Sequence, residues 1–232
     1  GGRYWIFIKL ITDKDIVGYG EIYSVPFHPN VVSKMTEDIF ERYAKGKDPF
    51  KIEKLWRTVY SSGYTQRPDI SLMGVISGIE MACWDIIGKE LNKPVYEILG
   101  GQVHKKLRSY TYLYPKKSDK TDVYNDANLA AERANEYLET GFTAIKFDPI
   151  GPYAPLDPRQ LTLEELVNAE NFVKTIHGSV KNKCDLLIGT HGQMTTSSAI
   201  RLAKRLEKFD PMWFEEPIPP KNYEEMERVA LS

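Results

Sequence analysis

The sequence predicts an α/β protein in which a small α+β domain precedes four βα units of a parallel sheet. From residue 108 onward, short apolar segments alternate with stretches of helical periodicity, a pattern typical of strands joined by crossover helices. Before that point a hairpin pattern is followed by helical patterns only. A closed eight-unit barrel takes about 250 residues by itself. We therefore predict two domains, residues 1–107 and residues 108–232, the second being about the first half of a (β/α) barrel.

The first domain is predicted to open with an antiparallel hairpin. Residues 4–13 and 16–24 are rich in aromatic and β-branched side chains, and a short polar link separates them. Helical spacing of apolar residues then predicts helices over residues 31–43, 50–60 and 70–91. The last of these has a broad apolar face, which indicates a nearly buried helix.

The second domain is predicted from strand and helix patterns in alternation. The predicted strands cover residues 108–114, 144–147, 184–188 and 212–214, and the predicted helices cover residues 123–140, 163–180, 195–206 and 222 onward. Residues 151–160 form a loop with three prolines that is long for a connection between a strand and a helix. Long loops at this end of a sheet often contact substrate, and a surface excursion without a role is the equal alternative.

Composition and charge exclude several classes of partner. Hydrophobic residues make up 42% of the chain, charged residues 27%, and the net charge is -1, so no nucleic-acid partner is predicted. No apolar run approaches the roughly 20 residues of a membrane-spanning helix, and the amino terminus has no signal pattern. We therefore expect no membrane partner and a cytoplasmic location.

Cys83 and Cys184 lie far apart in sequence and are predicted to be buried free thiols.

Polar side chains follow three of the predicted strands where each strand ends. Lys146 and Asp148 end one strand, His191 follows the next, and Glu215 with Glu216 ends the last. In parallel sheets of this kind, chemistry collects at the carboxyl ends of the strands. These residues are the candidate functional site.

Residues 74–101, GVISGIEMACWDIIGKELNKPVYEILGG, closely resemble the signature of the mandelate racemase and muconate lactonising branch of the enolase superfamily. The order of hairpin, helices, KxD, THG and WFEEP is also similar, and the resemblance covers nearly the whole chain. It implies an α+β capping domain packed over a (β/α) TIM-type barrel, with one Mg²⁺ held by carboxylates at strand ends. Members of this branch remove the proton beside a carboxylate and stabilise the resulting ene-diolate on the metal.

The resemblance implies a role for each strand-end residue. Glu215 matches a metal ligand of the family, and Lys146 matches the first lysine of its KxK motif, with a catalytic or substrate-binding role. Asp148 stands where the second lysine would be, which argues against a simple racemase. His191 matches the histidine that sugar-acid dehydratases use as general acid on the departing hydroxyl group.

The main departure from the family pattern is Gly189, which occupies the position of the third-strand metal ligand. A glycine has no carboxylate to offer. We predict that Asp148 takes the vacant ligand role beside Glu215. The alternative is that Asp148 pairs with Lys146 and lowers its own pKa, which would leave the metal poorly held.

Four further residues are candidates. Glu216 is expected to orient a lysine or a backbone group, and Gln193 is predicted to hydrogen-bond substrate. Tyr23 and His28 lie in a loop that in relatives folds over the barrel mouth, so both are candidates for substrate contact.

The leading functional hypothesis is a Mg²⁺-dependent dehydratase of a small sugar acid, an aldonate or an aldarate, acting as a homo-oligomer. The enzyme would remove the proton at carbon 2 and release the hydroxyl group at carbon 3. A cycloisomerase or epimerase acting on a sugar acid or lactone, with Lys146 as one of two bases, is the second hypothesis. A degenerate, non-catalytic subunit, marked by Gly189, is the third.

Overall fold

The computed structural model of the chain describes residues 4–23 and 25–232. These residues form two compact units, one ending at Lys105 and the other running from Lys106 to Ser232. Each unit has its own hydrophobic core.

The first unit begins with the predicted antiparallel hairpin. Strand β1 (Ile6–Ile11) pairs with β2 (Val17–Ile22), with Ile6 opposite Ile22 and Ile11 opposite Val17. Asp15 adopts a positive φ of 59° in the link, a conformation that aspartate tolerates in turns. The predicted second strand extends to Ser24, which lies outside the described residues.

Four helices follow the hairpin. They are α1 (Pro29–Ile39), α2 (Ile52–Ser62), α3 (Ile70–Glu90) and the short α4 (Val95–Ile98). Three of them were predicted, and α4 was missed because a single turn carries no periodicity. The helical path of α1 continues through a π-helical turn at Phe40–Ala44. The carboxylate of Asp69 fixes the start of α3 by accepting hydrogen bonds from the backbone N–H groups of Ser71 and Leu72.

Helix α3 is the centre of the first unit. It lies so close to β2 that a Cβ atom added to Gly20 would be 1.9 Å from the carbonyl oxygen of Gly78. Its buried residues join those of the hairpin, α1 and α2 in one core. By length and composition α3 could cross a membrane, contrary to the expectation that no apolar run is long enough. A buried core helix meets the same criterion, and nine residues of α3 are buried within the protein.

The second unit contains the predicted parallel sheet, with strand order β3-β4-β5-β6. Its elements alternate as β3 (Thr111–Tyr112), α5 (Ala127–Glu139), β4 (Ala144–Phe147), α6 (Leu163–Val180), β5 (Asp185–Gly189), α7 (Thr196–Leu206), β6 (Trp213–Glu215) and α8 (Tyr223–Ala230). The fold class, four βα units of a half-barrel after an α+β domain, is thereby confirmed.

Two elements of this unit differ from prediction by more than one residue at an end. Strand β3 is only two residues long, although an apolar and aromatic pattern covers residues 108–114. Helix α5 begins at Ala127 instead of residue 123, because the Asp126 carboxylate accepts hydrogen bonds from the N–H groups of Asn128 and Leu129.

Strand periodicity sorts the side chains of the sheet onto two faces. Ile145, Phe147 and Ile188 belong to the core shared with the surrounding helices. The alternate positions face the other way, and the register places Lys146 beside Leu187 and Gly189 beside Glu215. The sequence thus brings Lys146, Gly189 and Glu215 to one face of adjoining strands.

Candidate active site

Lys146 and Glu215 form an ion pair across that face. Their Nζ and Oε1 atoms are 2.5 Å apart, and the lysine side chain is only 6% exposed. Burial alone would lower the pKa of Lys146, but its hydrogen bonds with Glu215 and Tyr112 outweigh burial and leave the pKa raised above its usual range. Lys146 is therefore a protonated, fixed cation.

Aromatic rings surround this cation. The Nζ atom of Lys146 lies 5.1 Å from the ring centroid of Tyr112 and 5.9 Å from that of Tyr110, which favours the charged form. Tyr110 also meets Trp213 edge to face, with the ring centroids 5.4 Å apart. Sequence reasoning missed these residues, although the alternation of tyrosines at 110, 112 and 114 is a signal that they share one face of a strand.

Gly189 is the position where the lysine side chain crosses the sheet. A Cβ atom added at Gly189 would lie 2.6 Å from Cε of Lys146 and 3.5 Å from its Nζ atom. Because residue 189 has no side chain, there is space for Lys146 to pass over it and reach Glu215.

Asp148 does not pair with Lys146, which contacts Glu215 instead. One carboxylate oxygen accepts a hydrogen bond from the N–H group of Ile150 at 3.0 Å, and the other accepts one from Nε2 of Gln193 at 2.8 Å. Burial raises the pKa of Asp148 to about 6, although donors from Ile150, His191 and Gln193 oppose the shift. The alternative in which Asp148 pairs with Lys146 and lowers its own pKa is wrong, because Lys146 reaches Glu215 across Gly189 instead.

His191 lies directly beyond β5 and is held in the left-handed region with a φ of 51°. Its neighbours fix this conformation. The N–H group of Thr190 donates to the carbonyl of Glu215 at 3.2 Å, and the N–H group of Gly192 donates to that of Glu216 at 2.6 Å. The side chain of His191 is 35% exposed, with Nδ1 3.6 Å from Oδ2 of Asp148. Strained backbone of this kind is often found at functional sites.

The long loop after β4 packs against the loop after β5. Backbone hydrogen bonds join Arg159 to Gln193 at 2.9 Å and Thr195 to Arg159 at 3.1 Å. The ring of Tyr153, in the same loop, lies 5.4 Å from the ring of His191. Of the two interpretations of this loop, the structure favours a wall of the site over an excursion without a role.

The remaining candidates have different surroundings. Gln193 is buried, and both ends of its amide bond to protein groups, the oxygen to Arg159 and the nitrogen to Asp148. Glu216 is exposed, and its backbone carbonyl accepts a hydrogen bond from the hydroxyl group of Thr190. Substrate contact by Gln193 stays a prediction.

Tyr23 and His28 belong to the first unit. Tyr23 is 73% exposed, and Nδ1 of His28 accepts a hydrogen bond from the N–H group of Asn30 at the start of α1. Substrate contact by either residue also stays a prediction.

The described residues do not by themselves bring together a full set of Mg²⁺ ligands. Mg²⁺ requires near-octahedral oxygen ligands, and the part of the chain that the structure describes contains no group of three or more His, Cys, Asp or Glu side chains placed to hold a metal. The carboxylate of Glu215 is already neutralised by Lys146. The ligand roles predicted for Asp148 and Glu215 therefore remain predictions.

Two family models match the chain, one to each half. The model of the mandelate racemase / muconate lactonizing enzyme N-terminal domain matches residues 2–100. The model described as enolase C-terminal domain-like matches residues 129–232.

Curated relatives are sugar-acid dehydratases. D-galactonate dehydratase of Xanthomonas axonopodis pv. citri is 32% identical over 228 residues, which are 98% of this chain and 56% of that protein. D-gluconate/D-galactonate dehydratase of Picrophilus torridus is 31% identical over 215 residues, 93% of this chain and 52% of that protein. The chain thus spans about half the length of the curated relatives it matches.

Solved structures show the same fold. A Labrenzia alexandrii protein assigned to mandelate racemase/muconate lactonizing enzymes is 58% identical, with a TM-score of 0.93 over 100% of this chain and 61% of that one. The mandelate racemase/muconate lactonizing enzyme from Sulfitobacter sp. is 45% identical, with a TM-score of 0.94 over 99% of this chain and 58% of that one.

Proposed function

Because this chain belongs to the mandelate racemase and muconate lactonizing enzyme branch of the enolase superfamily, we propose that the whole protein is a hydro-lyase that dehydrates a sugar acid. The names of the curated relatives support an aldonate such as galactonate or gluconate as substrate. This chain contributes the acid and a cation to the reaction.

The observation that carries the proposal is the setting of His191. The imidazole is partly exposed at the carboxyl end of β5, and Nδ1 faces the buried carboxylate of Asp148 at 3.6 Å. A carboxylate at Nδ1 orients the ring and balances the charge of an imidazolium, and the second ring nitrogen is then left for substrate. This is the arrangement that a general acid requires.

The reaction removes one proton and one hydroxyl group. A base takes the proton from carbon 2, the bond between carbon 3 and its oxygen breaks, and His191 gives its proton to that oxygen so that water leaves. The enol product then becomes a 2-keto-3-deoxy acid. The ammonium group of Lys146, which Glu215 only partly compensates because it still has free donors, faces the strand ends where the negative charge of the substrate carboxylate increases during proton removal.

Lys146 is poorly suited to the second hypothesis. A cycloisomerase or epimerase that used it as a base would need a neutral amine near neutral pH. The raised pKa and the ion pair with Glu215 keep the amine protonated. The site therefore favours dehydration, in which Lys146 acts as a cation.

Product analysis tests the proposal directly. The whole protein would be incubated with a panel of aldonates and aldarates, and products would be scored for 2-keto-3-deoxy acids and for isomers of unchanged mass. We expect a keto acid from at least one aldonate. An isomer of unchanged mass would favour the isomerase hypothesis, and no turnover of any substrate would favour a degenerate site.

Mg²⁺ use is implied by the family, and the affinity of this chain for the metal can be measured separately from turnover. Because Lys146 neutralises Glu215, we expect this chain to bind Mn²⁺, a paramagnetic substitute for Mg²⁺, with a Kd on the order of 1 mM or weaker. Electron paramagnetic resonance of free Mn²⁺ measures this affinity without any turnover. Lys146→Met should tighten Mn²⁺ binding, because the Glu215 carboxylate is then no longer neutralised. Glu215→Gln should abolish the weak binding that the unmodified chain shows. Micromolar binding by the unmodified chain would contradict the expectation.

Assembly and location stay predictions. A homo-oligomer in the cytoplasm, with no nucleic-acid or membrane partner, is what the sequence and the family resemblance led us to expect.

A further inference from the structure

Gln193 has an amide orientation that its neighbours determine. An amide offers one acceptor oxygen and one donor nitrogen, and a guanidinium group can only donate. Nη2 of Arg159 lies 3.2 Å from Oε1 of Gln193, so the oxygen must face Arg159. The nitrogen then faces Asp148 and donates to Oδ2 at 2.8 Å. Gln193 is 1% exposed, so water does not compete for these bonds.

Arg159 is itself held in place by the loop that it ends. Nη2 also donates to the carbonyl of Ile150 at 3.0 Å, and Nε lies 3.7 Å from the carboxylate of Asp157. The side chain is 21% exposed, so most of it is buried. The orientation of the Gln193 amide thus depends on a fixed cation in the neighbouring loop.

The orientation of the Gln193 amide in turn orients the carboxylate of Asp148. With the Gln193 nitrogen and the Ile150 N–H group donating to it, the carboxylate is held as an acceptor. The same oxygen that accepts from Gln193 faces Nδ1 of His191 at 3.6 Å. A histidine whose Nδ1–H group faces a carboxylate presents Nε2 to the substrate, and its imidazolium form donates the proton from Nε2.

We propose that Arg159 and Gln193 are positioning residues for the general acid. Together they orient Asp148, and Asp148 fixes the tautomer of His191. The inference rests on the proposed function for its catalytic consequence, whereas the tautomer of His191 exists with or without turnover. Without the guanidinium group, the Gln193 amide can rotate and turn its oxygen toward Asp148. Two acceptors repel, so the carboxylate would move away from His191.

Nuclear magnetic resonance of ¹⁵N-labelled histidine measures the tautomer. In its neutral form, His191 of the unmodified protein should carry its proton on Nδ1, and His191→Asn identifies its signal. Arg159→Met should give a mixture of tautomers and lower kcat about 10-fold with KM changed less than about twofold. Arg159→Lys keeps a charged donor and should recover part of kcat.

Two further variants complete the test. Arg201→Met removes an exposed arginine from α7 and should change neither the His191 tautomer nor kcat. Gln193→Glu keeps an oxygen for Arg159 but turns an oxygen toward Asp148, so it should reproduce the tautomer shift even where Arg159→Met does not fold. Unchanged His191 tautomers in both Arg159→Met and Gln193→Glu would overturn the inference. A tautomer shift in a protein that dehydrates no sugar acid would uphold the positioning role and reject the proposed function.

Discussion

His191→Asn is expected to lower kcat for dehydration of the sugar acid by about 10²- to 10⁴-fold, the usual contribution of a general acid. Asparagine tolerates the positive φ that His191 adopts, so the backbone at the end of β5 should persist. Its amide cannot donate a proton as an acid, so only the chemistry is removed. Steady-state kinetics with the best aldonate of the product panel measures the change.

A matched histidine outside the site gives the control. His104 is exposed in the first unit, and His104→Ala should leave kcat and KM unchanged. If His191→Asn kept more than about a tenth of the native kcat, a loss too small for a general acid, His191 would not be that acid.

Gly20→Ala is expected to have the largest effect on stability among single-methyl additions to the first unit. The added Cβ atom would lie 1.9 Å from the carbonyl oxygen and 2.9 Å from the carbonyl carbon of Gly78, both backbone atoms of α3. A rigid backbone cannot yield as a flexible side chain can, so β2 must move away from the helix and open the core. Overpacking of this kind costs about 1–3 kcal/mol, and urea unfolding followed by circular dichroism measures the loss.

A glycine-to-alanine substitution at an uncrowded helical position should stabilise the protein instead. Gly178 lies in α6 with no neighbouring atom within 4 Å of an added Cβ. Gly178→Ala should raise the free energy of unfolding by up to about 1 kcal/mol, because alanine favours helix over glycine. Equal stability of the two variants would show that the contact between β2 and α3 is looser than the structure indicates.

The elements with strong periodicity were predictable from sequence, because the spacing of their apolar residues matches the period of a helix or a strand. Helix α6 was predicted with its true limits, since Thr162 begins it with a capping box and Glu165 completes that box. The single turn of α4 was not predictable, because it contains too few residues to show a period. The tyrosines around β3 predicted a longer strand than the two residues that pair with β4.

The candidate site was predictable in position but not in its partnerships. The order of strands was enough to place Lys146, Asp148 and Glu215 at one edge of the sheet. Sequence could not reveal that Lys146 would pass over Gly189 to Glu215, because this depends on the space left by a missing side chain. Arg159 gave no signal at all, since its contacts depend on the path of an irregular loop.

The glycine beneath Lys146 also constrains how this site can change over generations. Codons for glycine and aspartate can differ by one base, so a carboxylate at residue 189 is a single mutation away. Yet its Cβ atom would meet Cε of Lys146 at 2.6 Å, so the new side chain would compete with the lysine for the same space. A lineage that acquired Gly189→Asp would have to move the flexible end of the Lys146 side chain, and with it the ammonium group that contacts Glu215. A change at residue 189 is therefore expected to alter the partners of Lys146.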